Sequence, residues 1–194
     1  ATDLCGNTAE HWQHITVNDT EAPVLAGLPA DAVVNIECSE DVPVVPLVTA
    51  TDNCASPVDV EFVEIEIPGT CPNQYTITRT WSAEDACGNS TVFTQTINIS
   101  DTEAPVLAGL PADAVVNIEC SEDVPAVPAV TATDNCNVPI VVDFSEVEVP
   151  GTCANQYTIT RTWTAQDDCG NSTSFVQTIN ISDTEAPVLA GLPA

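Results

Sequence analysis

The chain has no methionine, no lysine and no histidine beyond position 14, and aromatic residues make up only 5% of its 194 positions. Each absence removes something. Without methionine the core loses its adaptable gap-filler and must be built from branched aliphatics and a few rings. Two basic residues, Arg79 and Arg161, stand against 29 acidic ones, for a net charge of −27. A surface of that sign repels phosphate backbones and anionic headgroups, which excludes nucleic acid and direct membrane contact as partners. His11 and His14 lie three apart, so on a strand they point to opposite faces and read as surface decoration; a repeated Ser–His–Asp triad is excluded. The nine cysteines include no CxxC pair, which argues against zinc. High acidity with few aromatics is a signature of disorder, but 44% hydrophobic content with clear periodicity points to a folded chain.

The sequence repeats itself. DTEAPVLAGLPA occurs at Asp19–Ala30, Asp101–Ala112 and Asp183–Ala194, a period of 82 residues, and 19–100 aligns with 101–182 without a gap at about four identical positions in five. Residues 1–18 align with 83–100. The expected organisation is the C-terminal part of a preceding repeat at 1–18, complete repeats at 19–100 and 101–182, and the N-terminal strand of a following repeat at 183–194. Such a window carries no information about a signal peptide or membrane anchor elsewhere.

Alternation with β-branched residues, broken by Pro, Gly and Asx turns, predicts half-buried strands near 23–28, 32–38, 46–53, 58–67, 74–84 and 91–100. In QYTITRTWSAED, Tyr75, Ile77, Arg79 and Trp81 share one face. Phe93, Ile97 and Ile99 share another, and Val63, Ile65 and Ile67 alternate with Glu64 and Glu66. Six or seven strands in this length predict an all-β fold of tandem immunoglobulin-like β-sandwich repeats, strung into an elongated array. Cysteine-rich repeats without metal motifs point to disulfides and an extracellular, cell-surface location. Each repeat holds four cysteines separated by 16, 17 and 16 residues, one strand and turn per step. If consecutive strands run antiparallel, alternate cysteines share a pole, and only neighbours within about 7 Å can bond. The expected pairs are Cys38–Cys71, Cys54–Cys87, Cys120–Cys153 and Cys136–Cys169, with Cys5 the counterpart of Cys87.

TATDNC, AEDACGN and the D-x-E-A-P opening resemble the hyalin-repeat (HYR) domain, an immunoglobulin-like extracellular module, over the whole of each 82-residue unit. Tandem copies carrying GTCPNQYTITRTW resemble the repeat arrays of surface adhesins and filaments in Bacteroidota. The resemblance implies a non-catalytic, extracellular structural role. Arg79 departs from the pattern, because the family's strand before A-x-D tends to be apolar.

Three acidic motifs converge on one end of each predicted sandwich: Asp19 and Glu21, Asp52 and Asn53, and Asp85 and Asn89, with Asp101, Glu103, Asp134, Asn135, Asp167 and Asn171 as their counterparts. Calcium takes six to eight hard oxygens, an inventory that these carboxylates, amides and neighbouring backbone carbonyls supply. Glu40 and Asp41 of the preceding repeat could add to it. Asp and Asn at strand ends are equally ordinary turn formers, and CGN supplies a positive-φ glycine. Both readings stand at this point.

Other features carry bland readings. Glu64 and Glu66 form a solvated strand face rather than a hydrolytic pair, Arg79 and Arg161 pair with a neighbouring Glu or stack on Tyr75 or Trp81, and the sequons NDT, NST and NIS matter only in a glycosylating host. The leading expectation is a segment of an extracellular filament or stalk, stiffened by disulfides within each domain and calcium between domains. Its partners would be neighbouring repeats and other copies of the filament. The alternative is a glycan- or protein-binding module using the variable stretch 55–63 and its counterpart 137–145. No constellation supports an enzyme.

Overall fold

The computed structural model describes residues 1–54, 57–136, 139–153 and 155–191; positions 55–56 and 137–138 of the variable stretches and 192–194 of the last repeated phrase lie outside the described residues. Among the described residues the chain is all-β, with helical geometry confined to the 3-10 turns Ser39–Asp41 and Ser121–Asp123. The first repeat holds β1 (Val24–Ala26), β2 (Val33–Ile36), β3 (Thr49–Thr51), β4 (Val60–Pro68), β5 (Gln74–Glu84) and β6 (Ser90–Ser100). The second holds β7 (Val106–Ala108), β8 (Val115–Ile118), β9 (Thr131–Thr133), β10 (Val142–Pro150), β11 (Gln156–Gln166) and β12 (Ser172–Ser182). Each repeat makes a four-stranded sheet, β2-β6-β5-β4 or β8-β12-β11-β10, and a two-stranded one, β1-β3 or β7-β9. These are tandem β-sandwich repeats. The first strand of each larger sheet joins the last in parallel, Val34 opposite Ile97 and Val116 opposite Ile179.

Local sequence explains the elements. On β5 the residues Ile77, Arg79, Trp81 and Ala83 are buried while their neighbours are half exposed, as period two demands. The turn between β5 and β6 needs a left-handed residue, which Gly88 supplies at φ +88°; Gly170 repeats it at +92°. The cores are small. Phe62, Trp81 and Phe93 stack with centroids 5.2 and 6.1 Å apart, and Phe144, Trp163 and Phe175 repeat the arrangement.

One strand faces opposite to expectation. Val63, Ile65 and Ile67 are 43, 55 and 58% exposed, whereas Glu64, its side chain 41% exposed, lies on the face of Arg79 and accepts a 2.7 Å hydrogen bond from its Nε. The cause is the arginine at an inward position. In the second repeat Glu146 lies directly opposite Arg161, and Phe144 opposite Trp163, so pairing the buried guanidinium fixes which face of β10 points in. Arg161 Nη1 also donates to the Pro125 carbonyl. Thus Glu64 is the ion-pair partner expected for Arg79, and it and Glu66 are both exposed on β4.

By compactness the chain divides out of phase with its repeat. One unit comprises Ala1–Ala32, Val44–Ile65 and Thr78–Gln95; the other comprises Val33–Pro43, Glu66–Ile77 and Thr96–Ala194. The first contains the Trp81 stack together with the buried Val48 and Ala50. The second contains two aliphatic clusters, Ile77, Ile97 and Ile99 with Val34, Ile36, Val42 and Tyr75, and Ile159, Ile179 and Ile181 with Val116, Ile118, Val124 and Tyr157. Residues 1–18 carry one isolated bridge, Thr2 to Thr8, and no strand. Residues 183–191 are exposed and likewise form no strand.

Both disulfides lie in the second unit, and they correct the expected pairing. Cys38 bonds Cys136 and Cys71 bonds Cys169, each with Cα atoms 5.1 Å apart and a sequence separation of 98. The bonds therefore join successive repeats instead of closing within one, and Cys38–Cys71, Cys54–Cys87, Cys120–Cys153 and Cys136–Cys169 do not form. Grouping by pole still holds in part. Ser39 N–H donates to Asn73 Oδ1, which holds the segments bearing Cys38 and Cys71 together at the trailing end of the first repeat. Only five residues separate β6 from β7, so this end abuts the leading end of the second repeat, where Cys136 and Cys169 lie. The spacing argument considered poles within a single repeat, and the nearest sulfur belongs to the next one. Cys5, Cys54, Cys87, Cys120 and Cys153 are free thiols.

Candidate cation site beside the sulfur pairs

The linker leaving β6 is tied down at its first two residues. Asp101 N–H donates to the Asn73 carbonyl at 3.0 Å, and the Thr102 amide donates to Glu37 Oε2 at 2.7 Å, with the Thr102 hydroxyl also bonded to the Glu37 carboxylate. These contacts place Asp101, which is only 8% exposed, beside the TDNC turn of the second repeat. One ligand atom each from Asp101, Asp134 and Cys136 lie within 4.8 Å of one another. Cys136 is bonded to Cys38, so its sulfur is no thiolate ligand, and the chemistry rests on the two carboxylates.

Their electrostatics are unfavourable as they stand. Burial first, then the negative charges of Asp134 and Asp167, hold the Asp101 carboxyl above its ordinary pKa; Glu37 pushes in the same direction, and the Glu103 N–H bond opposes it. Asp134 Oδ1 accepts the Cys136 N–H at 3.0 Å, but its Oδ2 is buried without a hydrogen-bond partner. A buried, unpartnered carboxylate oxygen facing another carboxylate is the arrangement that a hard cation relieves. All available donors are oxygens, which suits calcium or magnesium rather than zinc.

The first repeat has the same residues in a looser setting. Ligand atoms of Asp19, Asp52 and Cys54 also lie within 4.8 Å, and Asp52 Oδ2 is again buried and unpartnered. Asp19 is only half-buried, however, and Cys54 is an exposed free thiol. A hydrogen bond to Asp19 chiefly, with burial and the nearby charges of Asp19, Asp52 and Cys87, raises the Cys54 pKa.

Four of the other predicted ligands, Asp85, Asn89, Asp167 and Asn171, are engaged in turns. Asp85 Oδ1 accepts N–H bonds from Cys87 and Asn89, and its Oδ2 accepts from the Asn89 side chain; Asp167 and Asn171 repeat the pattern. Those bonds, led by the Asn89 side chain, hold the Asp85 carboxyl below its ordinary pKa. Asp3 and Asn7 make the same turn at the start of the chain. Asn89 and Asn171 also reach the carbonyls of Asp19 and Asp101, so the turns brace the linkers. Glu21 accepts from the Asn53 side chain, while Glu103 and Asn135 are exposed. Sequence reasoning missed Glu37, Asn73 and Thr102, which set the linker in place. The pairing joins residues of successive repeats, a distance that no local motif announces.

The family model described as "HYR-like domain with 4 cysteines" matches residues 27–99 and 109–181. A comparison with curated proteins finds no match.

Proposed function

The chain belongs to the HYR-like domains with 4 cysteines, a family of modules rather than of enzymes, and from that premise we propose that it is a non-catalytic segment of an extracellular filament or stalk. The observation that carries this reading is the double sulfur link from one repeat to the next, Cys38–Cys136 and Cys71–Cys169. Disulfides belong to oxidising compartments, and no helix among the described residues is long and apolar enough to cross a membrane. Bonds that run between repeats resist separation of the modules, which is the task of a connector. Net charge of −27 keeps such a polymer soluble, and a surface adhesin of the tandem-repeat kind is the setting that suits it.

Calcium at the Asp101–Asp134 cluster completes the proposal. It would neutralise two carboxylates directly beside the Cys38–Cys136 bond and stiffen the same junction. Extracellular modules bind calcium at about 10⁻⁴–10⁻³ M. Thermal unfolding of the oxidised chain in 10 mM calcium and in chelator tests it: a midpoint rise in calcium is expected, and coincident curves would remove the cation from the account.

A second reading, recognition of glycan or protein, has a specific observation of its own. A shallow groove of about 430 Å³ in the first unit is lined by Asp59, Glu61, Ser82, Glu84 and Val92, among others. Those five positions are Val141, Asp143, Thr164, Gln166 and Ser174 in the second repeat, whereas Val60, Ala83 and Ser90 of the same lining are unchanged. A groove whose lining changes charge and size from one repeat to the next is suited to discrimination. Glycan-array binding by the chain, abolished by exchanging these five residues for their counterparts, would establish it; an array without signal would leave the connector role alone.

A further inference from the structure

We propose that the free thiols of Cys120 and Cys153, and those of Cys54 and Cys87, are the two open halves of a repeat-to-repeat disulfide joint, and that the partner of each half is a further copy of this same repeat.

The rule is visible in the bonds that do form. Cys38, the first cysteine of one repeat, takes Cys136, the second of the next; Cys71, the third, takes Cys169, the fourth. Both separations are 98 residues, one period of 82 plus one step of 16. Applied to the rest, the rule assigns Cys120 and Cys153 to the second and fourth cysteines of a following copy. It assigns Cys54 and Cys87 to the first and third of a preceding one. All four are free thiols in the structure.

Geometry at the trailing end of the second repeat supports the assignment independently of the sulfur pattern. Asp183 N–H donates to the Asn155 carbonyl at 3.0 Å, as Asp101 does to Asn73. Thr184 N–H donates to Glu119 Oε2 at 2.8 Å, as Thr102 does to Glu37 at 2.7 Å. The clamp that seats the second repeat is thus already built for a third. It holds out residues 183–191, identical in sequence to the linker that opens each repeat. In the seated linker Pro105 is fully buried, Leu107 is half-buried, and Val106 pairs with Thr133 while staying 65% exposed; in the held-out copy Pro187 is exposed, and Val188 and Leu189 are 93 and 76% exposed. A third copy, with its counterpart of β9, is the surface that would cover Pro187 and Leu189 as the second repeat covers Pro105 and Leu107.

Bond formation needs an oxidant, and a small-molecule disulfide such as oxidised glutathione supplies it. One protein thiolate attacks the small disulfide and releases a thiol; the partner thiolate then attacks the mixed disulfide and releases the second. Two protein thiols become one disulfide and one small disulfide becomes two thiols.

The test compares the 194-residue chain with one lengthened in phase by repeating residues 101–182 after Ser182. Both are refolded in a glutathione redox buffer, alkylated without reduction and mapped by mass spectrometry. The longer chain gains four cysteines, yet its reactive thiols are expected to stay five in number, with Cys120 and Cys153 replaced by the first and third cysteines of the added copy. New bonds should run from Cys120 and Cys153 to the second and fourth cysteines of the added copy. Cys120 bonded to Cys153, or both alkylated, in the longer chain overturns the proposal. Covalent multimers of the parent through Cys120–Cys54 and Cys153–Cys87 support it with a second chain as partner. Thiols reactive in the parent and protected in the longer chain support it with a copy in the same chain. A Cys38→Ser variant of the parent fixes the register without any added repeat: Cys136 alone should become newly alkylated. Loss of the Cys71–Cys169 bond or scrambling to Cys54 in that variant would count against the pairing rule.

Discussion

Asp19, Asp52 and Cys54 occupy the same repeat positions as Asp101, Asp134 and Cys136, and the two clusters are not alike. In both, the ligand atoms lie within 4.8 Å. In the first, Asp19 is half-buried and the cysteine is an exposed thiol; in the second, Asp101 is 8% and Cys136 4% exposed, and the sulfur is bonded to Cys38. The difference is the trailing end of a preceding repeat, whose Glu37, Cys38 and Asn73 close over the second cluster. A single repeat carries the parts of the site, and only a pair of repeats makes it.

The sulfur bonds should produce the largest asymmetry. A cross-link spanning about 100 residues contributes about 4–5 kcal/mol in chain-entropy terms. At about 2–4 °C per kcal/mol for a chain of this size, Cys38→Ser should lower the calorimetric midpoint of the second unit by about 10 °C. Cys54→Ser, which breaks no bond, should stay within about 0.5 kcal/mol. Equal effects would erase the contrast between the clusters.

Calcium sharpens it next. If the metal binds at about 10⁻⁴ M, 10 mM stabilises by about 2.7 kcal/mol. Asp134→Asn should remove most of that gain in a thermal scan, and Asp52→Asn a smaller part, because the first cluster lacks its cover. The reverse order would place the metal elsewhere.

A feature completed within one repeat should show no asymmetry. Arg79–Glu64 and Arg161–Glu146 have the same length and exposure, the arginine side chains 5% and the glutamates 41% exposed. Removing the partner of a buried cation is costly, but the half-exposed glutamate leaves water a route to it. Glu64→Gln and Glu146→Gln should each cost about 1–2 kcal/mol in denaturant titrations.

The smallest effect is with pH. A carboxyl whose folded pKa lies above its unfolded value contributes stability below that unfolded value and loses it as pH rises through the folded one. In chelator, Asp101 should therefore weaken the second unit as pH rises through its elevated pKa. Asp85, shifted downward, contributes above its unfolded value and loses that contribution as pH falls through the folded one. NMR titration of the two carboxyl carbons separates them, with Asp101 moving at the higher pH. With calcium the Asp101 dependence should reverse, because protonation then expels the ion.

The sequence was most legible where structure is local. Alternation located Gln74–Glu84 to the residue and put Ile77, Arg79 and Trp81 on one face, and the CGN motif marked Gly88 and Gly170, though not the positive-φ Gly27 and Gly109. It failed where a distant residue decides. The face of β4 is set by the arginine across the sheet, so Val63, Ile65 and Ile67 look outward although period two alone allows either orientation. Ile15 and Ile97 are equivalent in the repeat, yet they are 70 and 0% exposed, because β6 lies between β2 and β5 and residues 8–18 have no such neighbours among the described residues. Spacing could say which cysteines share a pole, but not that the nearest partner sits one repeat further along. The acidic motifs divided in the same way: Asp85, Asn89, Asp167 and Asn171 serve their own turns, and only Asp101 and Asp134, with Asp19 and Asp52, converge.

The five residues between β6 and β7 are the only peptide route from the first repeat to the second, yet they are not the only covalent one. Cys38 and Cys71 lie before that segment and Cys136 and Cys169 after it. A backbone cut anywhere from Asp101 to Pro105 would leave the two fragments fastened at two points, and pulling force would pass through sulfur instead of the broken strand. A cable spliced in this way tolerates a proteolytic nick at each connector and parts only when reductant reaches both bonds.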